Sequence, residues 1–294
     1  MNLADALSLL GGVSLFLFGM TLMGEGLKLV AGNKLELILY KLSGTPLKGI
    51  LLGTGVTAVI QSSSATSVMV VGFVNSGMMK MKQAISIIMG AIIGTSITGW
   101  IISLSDIGGS NGILSLLSTE TLSAITAIVG IYLRLFSKKQ SHHHTGDILM
   151  GFAILMFGMK AMSSSVSSLR ESEVFLTLLT QFSNPILGIL IGMVFTTVIQ
   201  SASASVGILQ ALSSTGVITF EIALPIIMGI AIGASVPVLL SALGASTDGK
   251  RTALSYLVVD VLGVIVFSIL FYSLNAIIHF PFMAMSLRSV NIAL

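Results

Sequence analysis

The stretch TAVIQSSSATS, Thr57 to Ser67, sets a glutamine and a run of hydroxyls inside a segment, Leu47 to Met79, that is otherwise mostly Leu, Ile, Val, Gly, Ala and Met. A near copy, TTVIQSASASV, runs from Thr196 to Val206. None of these side chains carries a charge, yet together they suit a charged ligand. A helix that begins at the serines points unpaired N–H groups and the positive end of its dipole at whatever faces it, which favours an oxyanion. The hydroxyls of Ser62, Ser63, Ser64, Ser201 and Ser203 add further donors. A helix that ends at the same turn offers unpaired carbonyls, and Gln61 and Gln200 can donate and accept at once. One turn can therefore bind an oxyanion and a hard cation side by side. A single Ser run in an apolar helix is equally explained by hydroxyls bonding to the preceding turn. Two Gln-Ser turns at matching positions are not.

The elements that position these turns follow from composition. With 54% hydrophobic and 9% charged residues and a mean hydropathy of +1.03, the chain reads as an all-α integral membrane protein whose surroundings are the lipid bilayer. Apolar segments near 7–30, 84–104, 121–136, 148–169, 223–243 and 252–278 give about six full transmembrane helices. The first lacks a basic n-region and a small-residue cleavage site and is read as a retained span. The absence of cysteine excludes disulfides and thiol catalysis. A net charge of +3 calls for a topological explanation and implies no nucleic acid partner.

The second half copies the first at a constant offset of 139 residues. LFLFGM (15–20) answers ILMFGM (154–159); PLKGILLGTGVTAVIQSSSA (46–65) matches PILGILIGMVFTTVIQSASA (185–204) at 12 of 20 positions; AISIIMGAIIGTS (84–96) matches ALPIIMGIAIGAS (223–235) at 8 of 13. The expected organisation is a first repeat over 1–136 with a hairpin at 46–79 and a cytoplasmic linker over 137–146. A second repeat follows over 147–278 with a hairpin at 185–216, then a tail over 279–294. In each hairpin the polar turn leaves apolar arms of about 14 residues, only about 21 Å as helix, so a re-entrant hairpin turning near the midplane fits better than two spans. Each half then crosses an odd number of times, which makes the repeats inverted.

Charge tests that topology. Lys34, Lys41, Lys48, Lys80, Lys82, Lys138, Lys139, Lys250 and Arg251 fall on one face, while Asp5, Asp106, Glu120 and Glu221 fall on the other. The positive-inside rule then opens the first hairpin to the cytoplasm and puts both termini outside. A Lys-bearing segment at 33–42 is expected along the interface.

Duplicated Gln-Ser motifs in inverted hairpins, each followed by a helix with a Gly-Thr-Ser/Thr element, resemble the type II sodium-phosphate cotransporters and their bacterial relatives. Here the motif stands as QSSS at 61–64, QSAS at 200–203, GTSIT at 94–98 and GASVP at 233–237. The resemblance implies secondary active import of inorganic phosphate with sodium as the coupling ion, and no other cofactor. Substrate would sit at Gln61, Ser62, Ser63, Ser64, Gln200, Ser201 and Ser203, and sodium at Gln61, Thr95, Ser96, Thr98, Gln200 and Ser235. A homodimer is left open by the packing motifs GILLG (49–53) and GILIG (188–192). The sequence ends soon after the second repeat, so the phosphate-regulator-like domain of some bacterial relatives is not expected. Another oxyanion, proton coupling, or a sensor that binds phosphate without moving it are the competing readings.

Ala202 stands where the motif usually has Ser, and GASVP keeps Ser235 as its only side-chain oxygen. Asp260, in YLVVDVLG, is an intramembrane carboxylate, read either as a cation ligand or proton acceptor or as a group facing a wet cleft. Lys160 is read as snorkelling, and His142, His143 and His144 as a polar loop, not a metal site. No Walker, dinucleotide or nucleophile-base constellation is present, so an enzyme is not expected.

Overall fold

The N-terminal helix α1, Leu3–Ala31, lies antiparallel to a second long helix, α6, Gln140–Val166. The computed structural model describes residues 3–31, 45–103, 119–166 and 184–287. Lys34, Lys41, Asp106, Arg170 and Arg288, and the segment expected along the interface at 33–42, lie outside those residues. The remaining helices are α2 (Pro46–Ile60), α3 (Ser63–Asn75), α4 (Met81–Ser103), α5 (Thr119–Phe136), α7 (Pro185–Ile199), α8 (Ala202–Ser213), α9 (Phe220–Gly233), α10 (Val236–Ser241) and α11 (Thr247–Ile278). A short 3-10 turn, Pro281–Ala284, follows, and among the described residues the only β feature is an isolated bridge between Thr219 and Ser286.

Among the described residues, five helical stretches are long and apolar enough to cross a membrane: 4–30, 81–103, 140–162, 220–241 and 247–278. The sixth expected span is α5, shorter at 18 residues. The outer surface is hydrocarbon: Ile186, Val198 and Ile277 are 72%, 76% and 78% exposed. A soluble protein would bury such side chains, whereas a bilayer solvates them. The chain is an all-α membrane protein.

Local sequence sets the hairpin helices. Thr45 caps α2, accepting from the Lys48 N–H at 3.4 Å, and Asn184 caps α7, accepting from the Ile186 and Leu187 N–H groups at 3.0 and 3.3 Å. Pro46 and Pro185 follow, where a missing N–H costs nothing. Each hairpin's first helix then packs parallel to the long helix that follows it, at distances only glycine permits. A Cβ on Gly53 would lie 2.0 Å from the Ile87 carbonyl oxygen, and one on Gly192 would lie 2.1 Å from that of Ile226. The pairs correspond at the offset of 139. The glycines of GILLG and GILIG thus pack within the chain.

Between α5 and α6 only residues 137–139 lie outside helix. The histidines expected in a loop occupy the first turns of α6, begun by His142 and His143 N–H groups bonding to the Lys139 carbonyl. The helix runs on past its apolar part because polar residues in the aqueous phase do not stop it. Arg134 pairs with Asp147 across this junction. Lys160 is exposed and lies on the apolar part of α6.

Candidate functional site

The two Gln-Ser turns have one geometry. Gln61 ends α2 in the left-handed region at φ 59°, and Gln200 ends α7 at φ 58°. Both donate their backbone N–H to a threonine carbonyl, Thr57 and Thr196, at 2.7 Å. The next residue is extended, and its hydroxyl caps the outgoing helix: Ser62 accepts from the Ala65 N–H at 3.1 Å and Ser201 from the Ala204 N–H at 3.2 Å. A buried hydroxyl pair braces each hairpin behind its tip, Thr57 to Thr66 and Thr196 to Ser205, each at 3.0 Å. A left-handed residue other than Gly costs about 1–2 kcal/mol. Here that strain occurs twice, at the same residue type in the same motif.

Their side chains part company. Gln61 is 5% exposed, with its amide N–H donating to the Ala58 carbonyl and its Oε1 buried without a hydrogen-bond partner. Gln200 is exposed.

Both tips reach one cavity of about 240 Å³. Ser63 from α3 and Ala202 and Ser203 from α8 line it, with Thr95, Ser96 and Gly99 of α4, Ala231 of α9, Ala234 just beyond it, and Tyr256 and Asp260 of α11. The halves also touch at the tip. Ser64 Oγ donates to the Ala234 carbonyl at 3.3 Å, where the stretch 220–241 is broken between α9 and α10. Pro237 accounts for the break, since it has no N–H to give the Gly233 carbonyl and its ring crowds that oxygen. Across the cavity, Tyr256 Oη donates to Ser63 Oγ at 3.1 Å.

Four of the residues expected at the site, Ser63, Thr95, Ser96 and Ser203, face this space. Ser62 and Ser201 are helix caps beside it. Ser64 is spent on the contact with Ala234. Thr98 and Ser235 are buried, at 1% and 0% exposure, away from the lining, with the Ser235 hydroxyl on the Ile232 carbonyl at 2.7 Å. Gln61 and Gln200 stand behind the tips, outside the lining. Tyr256 was not expected. Its signal lay in the spacing YLVVD, which sets Tyr256 and Asp260 four apart on one helix face. Among the described residues no group of three His, Cys, Asp or Glu could hold a metal ion, and Asp260 is the one carboxylate among the lining residues, beside hydroxyls.

A family profile described as Na+/Pi-cotransporter matches the chain twice, over residues 15–164 and 154–291. The chain belongs to that family. It is a family of transporters, so this membrane protein is not an enzyme. Among curated proteins, YqeW of Bacillus subtilis, itself uncharacterized, is 28% identical over 250 residues, covering 85% of this chain and 77% of that protein. YjbB of Salmonella typhimurium, named for inorganic phosphate export, is 24% identical over 261 residues, covering 88% of this chain and 46% of its own length. The human sodium-dependent phosphate transport protein 2B is 37% identical over 102 residues, covering 34% of this chain and 15% of that protein. The chain thus spans about half the length of YjbB. No solved structure gives a significant match.

Proposed function

We propose that this chain is a secondary active transporter that imports inorganic phosphate with sodium by alternating access, holding both at the Gln-Ser tips near the membrane midplane. The observation that carries this reading is that serines from both tips, Ser63 and Ser203, open onto one cavity between the halves. Ser63 and Ser203, with the N–H groups at the starts of α3 and α8, bind the phosphate oxygens, Ser64 ties the first tip to the Ala234 carbonyl, and the caps Ser62 and Ser201 fix those helix starts. Sodium takes the oxygens of Thr95 and Ser96, which line the cavity, with Gln61 and Gln200 orienting the tips.

Inverted repeats are supported by the packing of α1 on α6. Gly12 meets Gly158, and Gly19 meets Gly151. Adding 139 to Gly12 gives Gly151, and subtracting 139 from Gly158 gives Gly19, so the offset exchanges one contact for the other. An antiparallel pair related in this way has its two-fold axis across the helices, which for spanning helices lies in the membrane plane. Re-entry is supported by length, since α2 and α3 have 15 and 13 residues, about 22 and 20 Å against about 30 Å of hydrocarbon. Lys48, Lys80 and Lys82 mark the open end of the first hairpin. Lys250 and Arg251 lie beside it, since the Ser246 N–H bonds Asn75 Oδ1 at 2.7 Å. That face is cytoplasmic and the termini are outside, in a multi-pass protein of the cell membrane.

The test is labelled phosphate uptake into proteoliposomes under an inward sodium gradient, with potassium and choline controls and excess sulfate as competitor. Sodium-dependent accumulation that unlabelled phosphate blocks and sulfate does not is expected. Saturable binding without accumulation would refute transport and leave a sensor. The names of the YjbB relatives favour one second reading, net export on the same fold. Faster loss from preloaded vesicles than uptake under mirrored gradients would select it.

A further inference from the structure

Asp260 is 5% exposed, lines the central cavity, and has a carboxylate oxygen, Oδ2, buried without a hydrogen-bond partner. Among the described residues, no lysine, arginine or histidine lines that cavity. A carboxylate buried with neither countercharge nor a full set of donors is an unmet electrostatic demand. A phosphate entering the same 240 Å³ would increase it by repulsion.

Neutral oxygens line the same cavity as the carboxylate. Tyr256, one helical turn before Asp260, gives its proton to Ser63 at 3.1 Å and keeps its oxygen lone pairs. Thr95 gives its proton to the Ala91 carbonyl at 3.2 Å and likewise keeps its lone pairs for the lining. Ser63, at the start of α3, is shared between this group and the first tip. One carboxylate among hydroxyls balances a single positive charge. A divalent ion would need further anionic ligands, which the lining does not supply.

We infer that Asp260, with Tyr256, Ser63 and Thr95, forms a binding site for one monovalent alkali cation, sodium, that neutralises the carboxylate and permits phosphate to enter beside it. The inference rests on the transport reading for its role but not for its existence. It adds to the hydroxyl and amide sites at the tips a cation ligand that bears charge. Because Tyr256 bonds Ser63, filling the site bears directly on the start of α3 and so on the anion.

Equilibrium binding of radioactive sodium to the purified, detergent-solubilised full chain, without phosphate, tests it. Wild type is expected to bind one more sodium per chain than Asp260→Asn. Tyr256→Phe should raise the half-saturating sodium concentration several-fold at unchanged capacity. Should Asp260→Asn elute as aggregate, Tyr256→Phe and Ser63→Ala carry the test by the same shift. Equal capacity and affinity in wild type and all variants overturns the inference. So does proton movement into proteoliposomes that Asp260→Asn abolishes with sodium binding intact, which would assign the carboxylate to a proton. Phosphate uptake by the same wild-type preparation reports separately on transport. An Asp260-dependent sodium site without uptake keeps this inference and removes the transport reading, and uptake without that site does the reverse.

Discussion

Replacing Gly53 by Ala should damage the first hairpin, while the same change at Gly55, two residues on in the same helix, should not. A Cβ at position 53 would stand 2.0 Å from the Ile87 carbonyl oxygen and 2.9 Å from the Ala91 nitrogen. Backbone atoms cannot rotate aside as a side chain can, so α2 and α4 must separate by about 1 Å or more to restore ordinary contact. Overpacking of this kind costs about 1–3 kcal/mol. At Gly55 nothing lies within 4 Å, and Ala there gains about 0.5–1 kcal/mol from the stiffer helix. Thermal unfolding in detergent should therefore show Gly53→Ala lowered by several degrees and Gly55→Ala level or raised. Because α4 also carries Thr95 and Ser96 into the cavity, Gly53→Ala should reduce phosphate uptake in proportion to protein that still reaches the membrane. Equal melting temperatures for the two variants would refute close backbone approach as what seats the hairpin on α4.

Gln61→Ala and Gln200→Ala should each abolish sodium-dependent phosphate uptake with membrane expression retained, and near-normal uptake in both would remove the motif from the mechanism. Thr57→Val and Thr196→Val delete the buried hydroxyl donors 3.0 Å from Thr66 and Ser205. Each should cost about 1–2 kcal/mol in unfolding free energy, and unchanged unfolding would show the braces to be idle. Ser62→Ala and Ser201→Ala remove helix caps and should cost about 1 kcal/mol each while weakening phosphate affinity, read by equilibrium binding of labelled phosphate.

Periodicity and repetition made much of this architecture readable. The apolar lengths gave the long helices, the repeated blocks beginning at Pro46 and Pro185 marked the hairpin starts, and the duplicated Gln-Ser motif located both turns. Which side chain faces the cavity was not readable, because that depends on how the halves rotate against each other. QSSS and QSAS look alike in the chain. Yet Gln61 is buried, with Gly24 of α1 close enough that a Cβ there would lie 3.8 Å from the Gln61 Cβ, whereas Gln200 is exposed. The left-handed glutamines were equally hidden, since sequence rules expect Gly or Asn in that conformation. The histidine run read as loop because polarity and irregularity usually coincide, but helix α6 carries its polar first turns out of the apolar zone intact.

Comparing the halves position by position explains where the cavity's polarity lies. Ser63 corresponds to Ala202, Thr95 to Ala234 and Thr98 to Pro237, so at each pair the second copy has lost a hydroxyl. The first two losses face the cavity directly. The third breaks the helix between α9 and α10 and leaves the Ala234 carbonyl to receive Ser64. At the same offset Asp260 stands where the first half has Thr121, and Tyr256 where it has Leu117. The polar groups missing from the second copy's tip and following helix are thus replaced, in the cavity, by a carboxylate and a phenol from α11. Ser63, Thr95 and Ser96 stand on the first-half wall and Asp260 on the other, so on the proposed reading the cation is drawn to the carboxylate on α11 while Ser63, at the start of α3, meets both ions. On the proposed reading, the asymmetry between the copies is therefore what gives the cavity its one carboxylate, on the wall that the second half supplies.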